Sequence, residues 1–189
     1  MEMSEQMKTK EVKQGLIHIY CGTGKGKTTA AVGLACRAAG RGKKVIFCQF
    51  MKGSVTGEIA ALEKLGVGII RAPESHGFLY KMNEKQKTAF GALQQKLYLE
   101  IFGFMDNPSD EQAPSLIVLD EVLDALSAGL ITEEDIRKLL SAKPADTELV
   151  LTGRAAPVWL EEQAGYITEM KKIKHPWDEG IAAREGVEY

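Results

Sequence analysis

The sequence has few cysteines, almost no net charge and no long hydrophobic run, and each shortage excludes a class of protein. Its three cysteines, Cys21, Cys36 and Cys48, lie far apart without a C-x-x-C pair. This spacing argues against a disulfide framework or a zinc site and favours reduced thiols that pack as small apolar side chains. The formal net charge of −2 gives no general attraction to nucleic acid or to an anionic membrane surface.

The chain also lacks an apolar stretch long enough to span a bilayer, and its charged first residues lack the apolar core of a signal peptide. We therefore expect a cytoplasmic protein that binds neither nucleic acid nor a membrane. With 189 residues, of which 44% are hydrophobic, the chain is long enough to bury one core. We expect residues 15–189 to form a single domain, preceded by an N-terminal arm, residues 1–14, that is flexible.

Apolar periodicity predicts strands that alternate with helices. Strands are predicted at 15–20, 44–50, 67–71, 115–119, 148–151 and 166–173. Helices are predicted at 27–40, 57–65 and 83–105, with one more from Thr132, where Asp135 completes a capping-box pattern, and another from Pro157. This alternation predicts an α/β fold with a mostly parallel sheet of about six strands and helices on both faces. In such sheets, ligands bind beyond the carboxyl ends of the strands.

A glycine-rich turn, "CGTGKGKTT", follows the first predicted strand. It differs from the Walker pattern G-x-x-x-x-G-K-[ST] because Cys21 takes the place of the leading glycine, and glycine comes one residue later, at Gly22. The three alternating glycines let the backbone curl so that N–H groups point at phosphate oxygens, and the helix that follows adds its dipole. Lys27 supplies a mobile cation, and the hydroxyl of Thr28 is placed to bind Mg²⁺. A strand, this turn and a helix in succession favour a triphosphate site over a turn without function.

Two acidic residues, Asp120 and Glu121, follow the buried strand "SLIVL". Either carboxylate can hold Mg²⁺ directly or through water, as the phosphates require. The alternative is that one of them only caps the next helix at its N-terminus. Arg37, on the helix after the glycine-rich turn, either reaches back to the phosphates or is a surface arginine.

The C-terminal half carries a resemblance to a known family. "LVLTGR" and "EMKKIKHPWDEGIAAREGVEY" resemble the end of the bacterial ATP:corrinoid adenosyltransferases of the CobA/CobO/BtuR family. The turn within "GTGKGKTTAAVGLACRAAG", the "QFMKG" after the second strand, the pair Gly57-Glu58 and "LDE" match that family in order. The likeness extends from about Gly15 to Tyr189, which is nearly the whole chain.

The resemblance implies transfer of the 5′-deoxyadenosyl group of ATP to cobalt(I) of a corrinoid, with release of inorganic triphosphate. It also implies Mg²⁺ or Mn²⁺ as cofactor, a flavoprotein electron donor, a homodimer and a RecA-like P-loop fold. In that fold, the strand at 148–151 lies between the strand before the glycine-rich turn and the strand before Asp120. "HGFLY" resembles the segment whose two aromatic residues line the corrin, which would be Phe78 and Tyr80. The family more often has tryptophan at the second of these positions.

The resemblance also implies roles for individual residues. Lys27, Thr28 and Glu121 would be catalytic, and Thr28, Asp120 and Glu121 would bind the metal. The residues that would bind ATP are those of the turn and one arginine: Gly22, Thr23, Gly24, Lys25, Gly26, Lys27, Thr28, Thr29 and Arg37.

The implied chemistry agrees with the residues, because cobalt(I) is itself a strong nucleophile and the sequence shows no evident Ser–His–Asp or Cys–His arrangement. Donors and cations around the phosphates would stabilise a triphosphate leaving group. Of the three histidines, His18 is interpreted as a satisfied core residue. His76 and His175 could each touch a ligand, but structural or surface roles are favoured for both. A P-loop kinase or ATPase, with Glu121 orienting a hydroxyl or water, and a nucleotide-gated binding module are the alternatives.

Overall fold

The computed structural model describes residues 14–53, 56–72, 77, 79–106 and 113–189. Its strands are β1 (Ile17–Cys21), β2 (Val45–Gln49), β3 (Gly68–Arg71), β4 (Leu116–Asp120), β5 (Glu148–Thr152) and β6 (Tyr166–Glu169). Its helices are α1 (Lys27–Ala39), α2 (Gly57–Lys64), α3 (Glu84–Asp106), α4 (Val122–Ser127), α5 (Glu133–Ala142) and α6 (Val158–Glu161). Short 3-10 turns lie at Leu79–Lys81 and Pro176–Glu179.

The strands form one six-stranded sheet in the order β3-β2-β4-β5-β1-β6, and every neighbouring pair is parallel. The predicted α/β fold is therefore confirmed, as is the position of β5 between β1 and β4. Because all strands run in one direction, the loops after β1, β2, β4 and β5 emerge at the same edge of the sheet. The glycine-rich turn and the two acidic residues thus come from strands separated only by β5.

The two faces of the sheet are buried by different helices. All five residues of β2 and of β4 are buried, as expected for central strands covered on both sides. On one face Phe47 and Val118 pack with the small residues Ala31 and Ala35 of α1. On the other face the apolar side chains of β2 and β4 pack with those of α3 and α5, among them Ile46, Ile117, Ile101 and Ile136. Helices on both faces are thereby confirmed.

The capping box predicted at the start of α5 is confirmed. The Thr132 hydroxyl accepts a hydrogen bond from the Asp135 N–H at 3.1 Å, and the Asp135 carboxylate accepts one from the Thr132 N–H at 2.9 Å. Together these bonds satisfy two donors that a helix start would otherwise leave without partners.

Two elements differ from the sequence-based prediction. Helix α4 was not predicted; it begins directly after Glu121, whose left-handed backbone, with φ of 60°, turns the chain out of β4. Strand β6 ends at Glu169 rather than at residue 173. It ends there because the next residue, Met170, turns its carbonyl to the glycine-rich turn and accepts a hydrogen bond from the Gly24 N–H at 2.6 Å.

The cysteines have the packing role predicted for them. All three are free, and Cys21 and Cys48 are buried. Burial raises the pKa of the Cys48 thiol well above its usual value. Within the described residues, no helix is both long enough and apolar enough to cross a membrane.

Candidate active site

The glycine-rich turn is held against two other segments by its own backbone. The Gly22 N–H donates to the Arg154 carbonyl at 2.9 Å, and the Gly24 N–H donates to the Met170 carbonyl at 2.6 Å. A Cβ at Gly22 would lie 2.5 Å from the Met170 carbonyl oxygen, and one at Gly24 would lie 2.7 Å from it. Gly22 also has φ of 108°, which L side chains rarely adopt. These two glycines therefore allow close backbone contact, and their N–H groups already have partners.

The N–H donors that remain for an anion are at the end of the turn and in the first turn of α1. The first N–H groups of a helix have no intrahelical partner, which leaves those of Lys27, Thr28 and Thr29 available at the positive end of the helix dipole. Thr23 and Lys25 are exposed at the rim of the turn. The Lys27 ammonium donates to the carbonyls of Gly22 at 2.8 Å and Gly24 at 2.9 Å, which holds its charge over the turn.

The hydroxyl of Thr28 joins the glycine-rich turn to the end of β4. It donates to Oδ1 of Asp120 at 2.8 Å, and the Thr152 hydroxyl donates to the same oxygen at 2.8 Å. The Thr152 oxygen in turn accepts a hydrogen bond from the Glu121 N–H at 2.9 Å. Asp120 is completely buried. Since the Thr28 proton points to Asp120, the hydroxyl lone pairs remain free for a cation.

The other side of the acidic pair carries a lysine, Lys52, whose position sequence reasoning did not predict. Its ammonium lies 3.2 Å from Oδ2 of Asp120 and 3.1 Å from Oε1 of Glu121. Burial of Lys52 lowers its pKa, but the two carboxylates outweigh that effect and raise the pKa above its usual value. Burial raises the pKa of the Glu121 carboxyl, and the Lys52 ammonium opposes this shift.

The backbone on both sides of this ion pair is strained. Met51 and Glu121, with φ of 59° and 60°, are the non-glycine residues with positive φ in the described part of the chain. The Met51 N–H is held by Oε1 of Gln94, a buried residue of α3, at 2.9 Å. The N–H of Glu121 is held by Thr152, as described above. The two strained residues lie beside the ion pair, one directly before Lys52 and the other within the acidic pair.

A buried glutamine, Gln49, connects α2 to Asp120. Nε2 of Gln49 donates to Oε1 of Glu58 at 3.1 Å and lies 3.4 Å from Oδ2 of Asp120. The segment "QFMKG" and the pair Gly57-Glu58, which carried part of the resemblance, therefore meet at the acidic pair.

Arg37 is not brought to the glycine-rich turn within the chain. It lies ten residues after Lys27 on α1, which is about 15 Å along a helix that rises ~1.5 Å per residue. It lines a cavity at the opposite end of the helix, beside Tyr20 and His18. Its contact with ATP stays a prediction.

Of the two predicted corrin-lining residues, only Tyr80 lies within the described residues. Its side chain is 78% exposed, in the turn Leu79–Lys81 that follows β3. Phe78 lies outside the described residues, as does His76, so the pairing of the two aromatic rings stays a prediction.

The two described histidines are structural, as predicted. Nε2 of His18 is hydrogen-bonded to Oε2 of Glu148 at 2.8 Å, and the ring stacks on Tyr166 at a centroid distance of 4.6 Å. Nδ1 of His175 accepts a hydrogen bond from the Trp177 N–H at 3.1 Å. That bond caps the last 3-10 turn of the chain.

Residues suited to Mg²⁺ lie at Thr28 and at the end of β4. Within the described ranges, no group of three or more histidine, cysteine, aspartate or glutamate side chains forms a metal cage. The hydroxyl of Thr28 and the carboxylates of Asp120 and Glu121 offer hard oxygen ligands. Mg²⁺ is usually bound in this way, by one or two carboxylates together with substrate phosphates and water, so the residues fit this ion.

The parallel sheet, the glycine-rich turn that opens α1, and the acidic pair at the end of β4 define a P-loop α/β protein of the RecA-like class. Residues 13–189 match the protein family described as "ATP:corrinoid adenosyltransferase BtuR/CobO/CobP". This match covers more than half of the chain, so the chain belongs to that family of enzymes.

Individual relatives are similar over most of their length. A "Corrinoid adenosyltransferase" of Sinorhizobium sp. is 34% identical over 186 residues, covering 97% of this chain and 84% of the relative. A "Corrinoid adenosyltransferase" of Pseudomonas aeruginosa is 32% identical over 179 residues, covering 94% of this chain and 85% of the relative. The "Corrinoid adenosyltransferase CobA" of Salmonella typhimurium is 29% identical over 178 residues, covering 94% and 87%.

Proposed function

We propose that this chain transfers the 5′-deoxyadenosyl group of ATP to cobalt(I) of a corrinoid substrate and releases inorganic triphosphate. Membership of the adenosyltransferase family supports the transfer. The use of ATP and the release of triphosphate are supported by one observation, the convergence of Lys27, Thr28 and Asp120 at the glycine-rich turn. A cation, helix N–H groups and metal-binding oxygens in one place match the charge of a triphosphate.

In the proposed reaction, the chain stabilises the leaving group and supplies no nucleophile. Cobalt(I) attacks C5′ of ATP, the bond between C5′ and oxygen breaks, and the electron pair leaves with the triphosphate. Cys21 is the thiol nearest the turn, but burial raises its pKa and keeps it protonated. The donors of the turn and of α1 are fixed before the charge develops, so they stabilise it without reorganisation.

The proposed metal site consists of Thr28, Asp120 and Glu121. Mg²⁺ or Mn²⁺, when bound there, would neutralise part of the triphosphate charge. Thr152 fixes the orientation of Asp120 through the hydrogen bond at 2.8 Å. Gln49, which bridges Asp120 and Glu58, holds the second oxygen of the same carboxylate. The carboxylate therefore faces the turn in one orientation.

A kinase or ATPase would instead need a group that orients a hydroxyl or a water for attack on the γ-phosphorus. Glu121 is the acid that the sequence offers for this role, but its Oε1 lies 3.1 Å from the Lys52 ammonium. The leaving-group role is favoured instead by membership of the adenosyltransferase family.

We also propose that Tyr80, together with Phe78, lines the corrin and excludes water and the lower axial ligand of cobalt. The exposed ring of Tyr80 supports this role, since it lies on a turn after β3, on the carboxyl side of the sheet. A flavoprotein would supply the electron. We propose a homodimer as well, supported by large apolar side chains exposed near the C-terminus, with Ile173 at 87% and Trp177 at 71%.

An anaerobic assay tests the proposed function. Purified protein is mixed with ATP, Mg²⁺ and chemically reduced cob(I)alamin, and the absorbance change of the corrinoid is followed while the phosphate products are separated. We expect one triphosphate for each cobalt–carbon bond formed. ADP and phosphate in equal amounts, or ATP that stays bound without turnover, would support the kinase or the binding-module alternative.

A further inference from the structure

We propose that Lys52 occupies the place of the divalent cation between Asp120 and Glu121, and thereby makes metal binding depend on the presence of the triphosphate. The inference rests on the proposed function in taking Thr28, Asp120 and Glu121 as the metal-binding residues. It goes beyond that function by giving Lys52, which is not among the proposed metal ligands, a role in metal binding.

The Lys52 ammonium contacts both carboxylates of the acidic pair, as a bound cation would. Its ammonium lies 3.2 Å from one carboxylate and 3.1 Å from the other, so a single charge bridges the acidic pair. Oδ2 of Asp120, which it contacts, is not the oxygen to which Thr28 and Thr152 donate, since both hydroxyls donate to Oδ1, and Nε2 of Gln49 also lies 3.4 Å from Oδ2. The side chain of Lys52 is 25% exposed, whereas that of Asp120 is fully buried, so the lysine closes the solvent side of the acid.

The backbone holds Lys52 in this position. The Lys52 N–H donates to the Phe50 carbonyl at 2.6 Å, a tight turn made possible by the positive φ of Met51. The hydrogen bond from the Met51 N–H to Gln94 fixes that turn to α3. A strained conformation held by a buried side chain on a different element indicates that the direction of Lys52 has a function.

The charges at the acidic pair explain why metal binding would depend on the triphosphate. Two carboxylates and one ammonium leave a single negative charge, so a free divalent cation has to compete with a tethered cation that is always present. When a metal–triphosphate complex binds at the turn, its phosphate oxygens offer Lys52 another anion. The ammonium then moves from the carboxylates to the phosphate chain, and the metal takes the oxygens that it leaves.

Mn²⁺ binding measured by electron paramagnetic resonance tests the inference, because it needs no turnover. Wild-type protein is titrated with Mn²⁺ alone and with Mn²⁺ plus tripolyphosphate, next to Lys52→Met, Lys52→Arg and Lys138→Met. We expect Lys52→Met to bind Mn²⁺ alone about tenfold or more tightly than the wild type, because the competing charge is gone. The same variant should bind Mn²⁺ with tripolyphosphate more weakly than the wild type does.

Two control variants separate this effect from a general change of charge. Lys52→Arg keeps a cation at the site and should leave binding of Mn²⁺ alone as weak as in the wild type. Lys138→Met removes the same charge from α5, where Lys138 pairs with Glu134 on the surface, and should behave like the wild type in both titrations. Lys52→Gln repeats the test with a side chain that still donates a hydrogen bond, should the methionine variant fail to fold by circular dichroism.

Equal affinity of the wild type and the neutral variants for Mn²⁺ alone would overturn the inference and leave the proposed function intact. If the wild type bound no Mn²⁺ even with tripolyphosphate, the metal site of the proposed function would fail together with the inference.

Discussion

The hydroxyl of Thr28 lies 2.8 Å from Oδ1 of Asp120, which is 92 residues further along the chain. This bond joins the first turn of α1 to the end of β4, two strands away from the strand that leads into the glycine-rich turn. It orients the Thr28 proton toward a buried acid and leaves the oxygen lone pairs toward the phosphate side. The Thr28 hydroxyl can therefore donate to Asp120 and bind a metal ion at the same time.

Replacing that hydroxyl is the most local test of the metal site. Thr28→Ala removes the oxygen and should lower the affinity for Mn²⁺ with tripolyphosphate about 10- to 100-fold. Thr28→Ser is the matched control, because it keeps the oxygen and should stay close to the wild type. Equal affinities of the alanine and serine variants would remove Thr28 from the metal site.

The close approach of the glycine-rich turn to Met170 predicts a difference between two glycines. Gly22→Ala places a Cβ 2.5 Å from the Met170 carbonyl oxygen at φ of 108°, and should lower the free energy of unfolding by more than about 1 kcal/mol. Gly33→Ala, on the exposed face of α1 with no atom within 4 Å, should raise it by up to about 1 kcal/mol. Urea unfolding measures both. A loss of stability in both variants would show that the contact with Met170 is not the cause.

If Tyr80 excludes the axial ligand of cobalt, its ring matters more for reduction than for transfer. Tyr80→Ala should slow turnover far more with cob(II)alamin and a reductant than with cob(I)alamin reduced beforehand. Tyr80→Phe keeps an apolar ring and serves as the control, with rates near those of the wild type in both assays. Equal slowing of Tyr80→Ala from both starting states would contradict this role.

The capping box at α5 gives a pH dependence of stability. Burial raises the pKa of Asp135, but hydrogen bonds from Thr132 and Gln95 outweigh it and hold the pKa below its usual value. A carboxyl with a lowered folded-state pKa stabilises the fold above its unfolded pKa of about 3.9, and this contribution is lost as the pH falls through the folded value. Asp135→Asn should therefore be less stable than the wild type near neutral pH.

Urea unfolding of Asp135→Asn measures how much the free energy of unfolding changes and in which direction it changes with pH. At neutral pH the loss should be about 1 kcal/mol, as for other helix caps. The gap between the two proteins should narrow as the pH falls below the unfolded pKa. Glu134→Gln is the control on the same helix, and should leave the stability nearly unchanged at every pH, since the ion pair of Glu134 with Lys138 lies at the surface. A stability difference between the wild type and Asp135→Asn that grew in acid would contradict a lowered pKa of Asp135 in the folded state.

The parts of the site that depend on one segment could be predicted from the sequence. The glycine-rich turn, Lys27 and Thr28 follow one another directly, and Asp120 ends an apolar run that predicts a buried strand. The order of the central strands followed from the resemblance. The turn, Lys27, Thr28 and Asp120 are local sequence patterns that lie at the carboxyl edge of the sheet, whereas the strand order rests on a known fold.

Residues that act through neighbouring strands could not be assigned in this way. Lys52 follows β2 and Thr152 ends β5, and each reaches Asp120 only because β4 lies between these two strands. The resemblance places β5 beside β4, but the spacing of "QFMKG" and "LVLTGR" does not reveal which of their side chains reach Asp120. Arg37 is the reverse case, since its ten-residue distance from Lys27 along α1 separates it from the turn despite the shared helix.

The position of bond cleavage in ATP decides whether the glycine-rich turn holds a leaving triphosphate. ATP that carries ¹⁸O in the bridge between C5′ and the α-phosphorus is converted anaerobically with cob(I)alamin, and the products are analysed by mass spectrometry. We expect all of the ¹⁸O to leave in intact triphosphate and none to stay with the adenosyl group on cobalt. Recovery of the label in ADP, together with free phosphate, would contradict it.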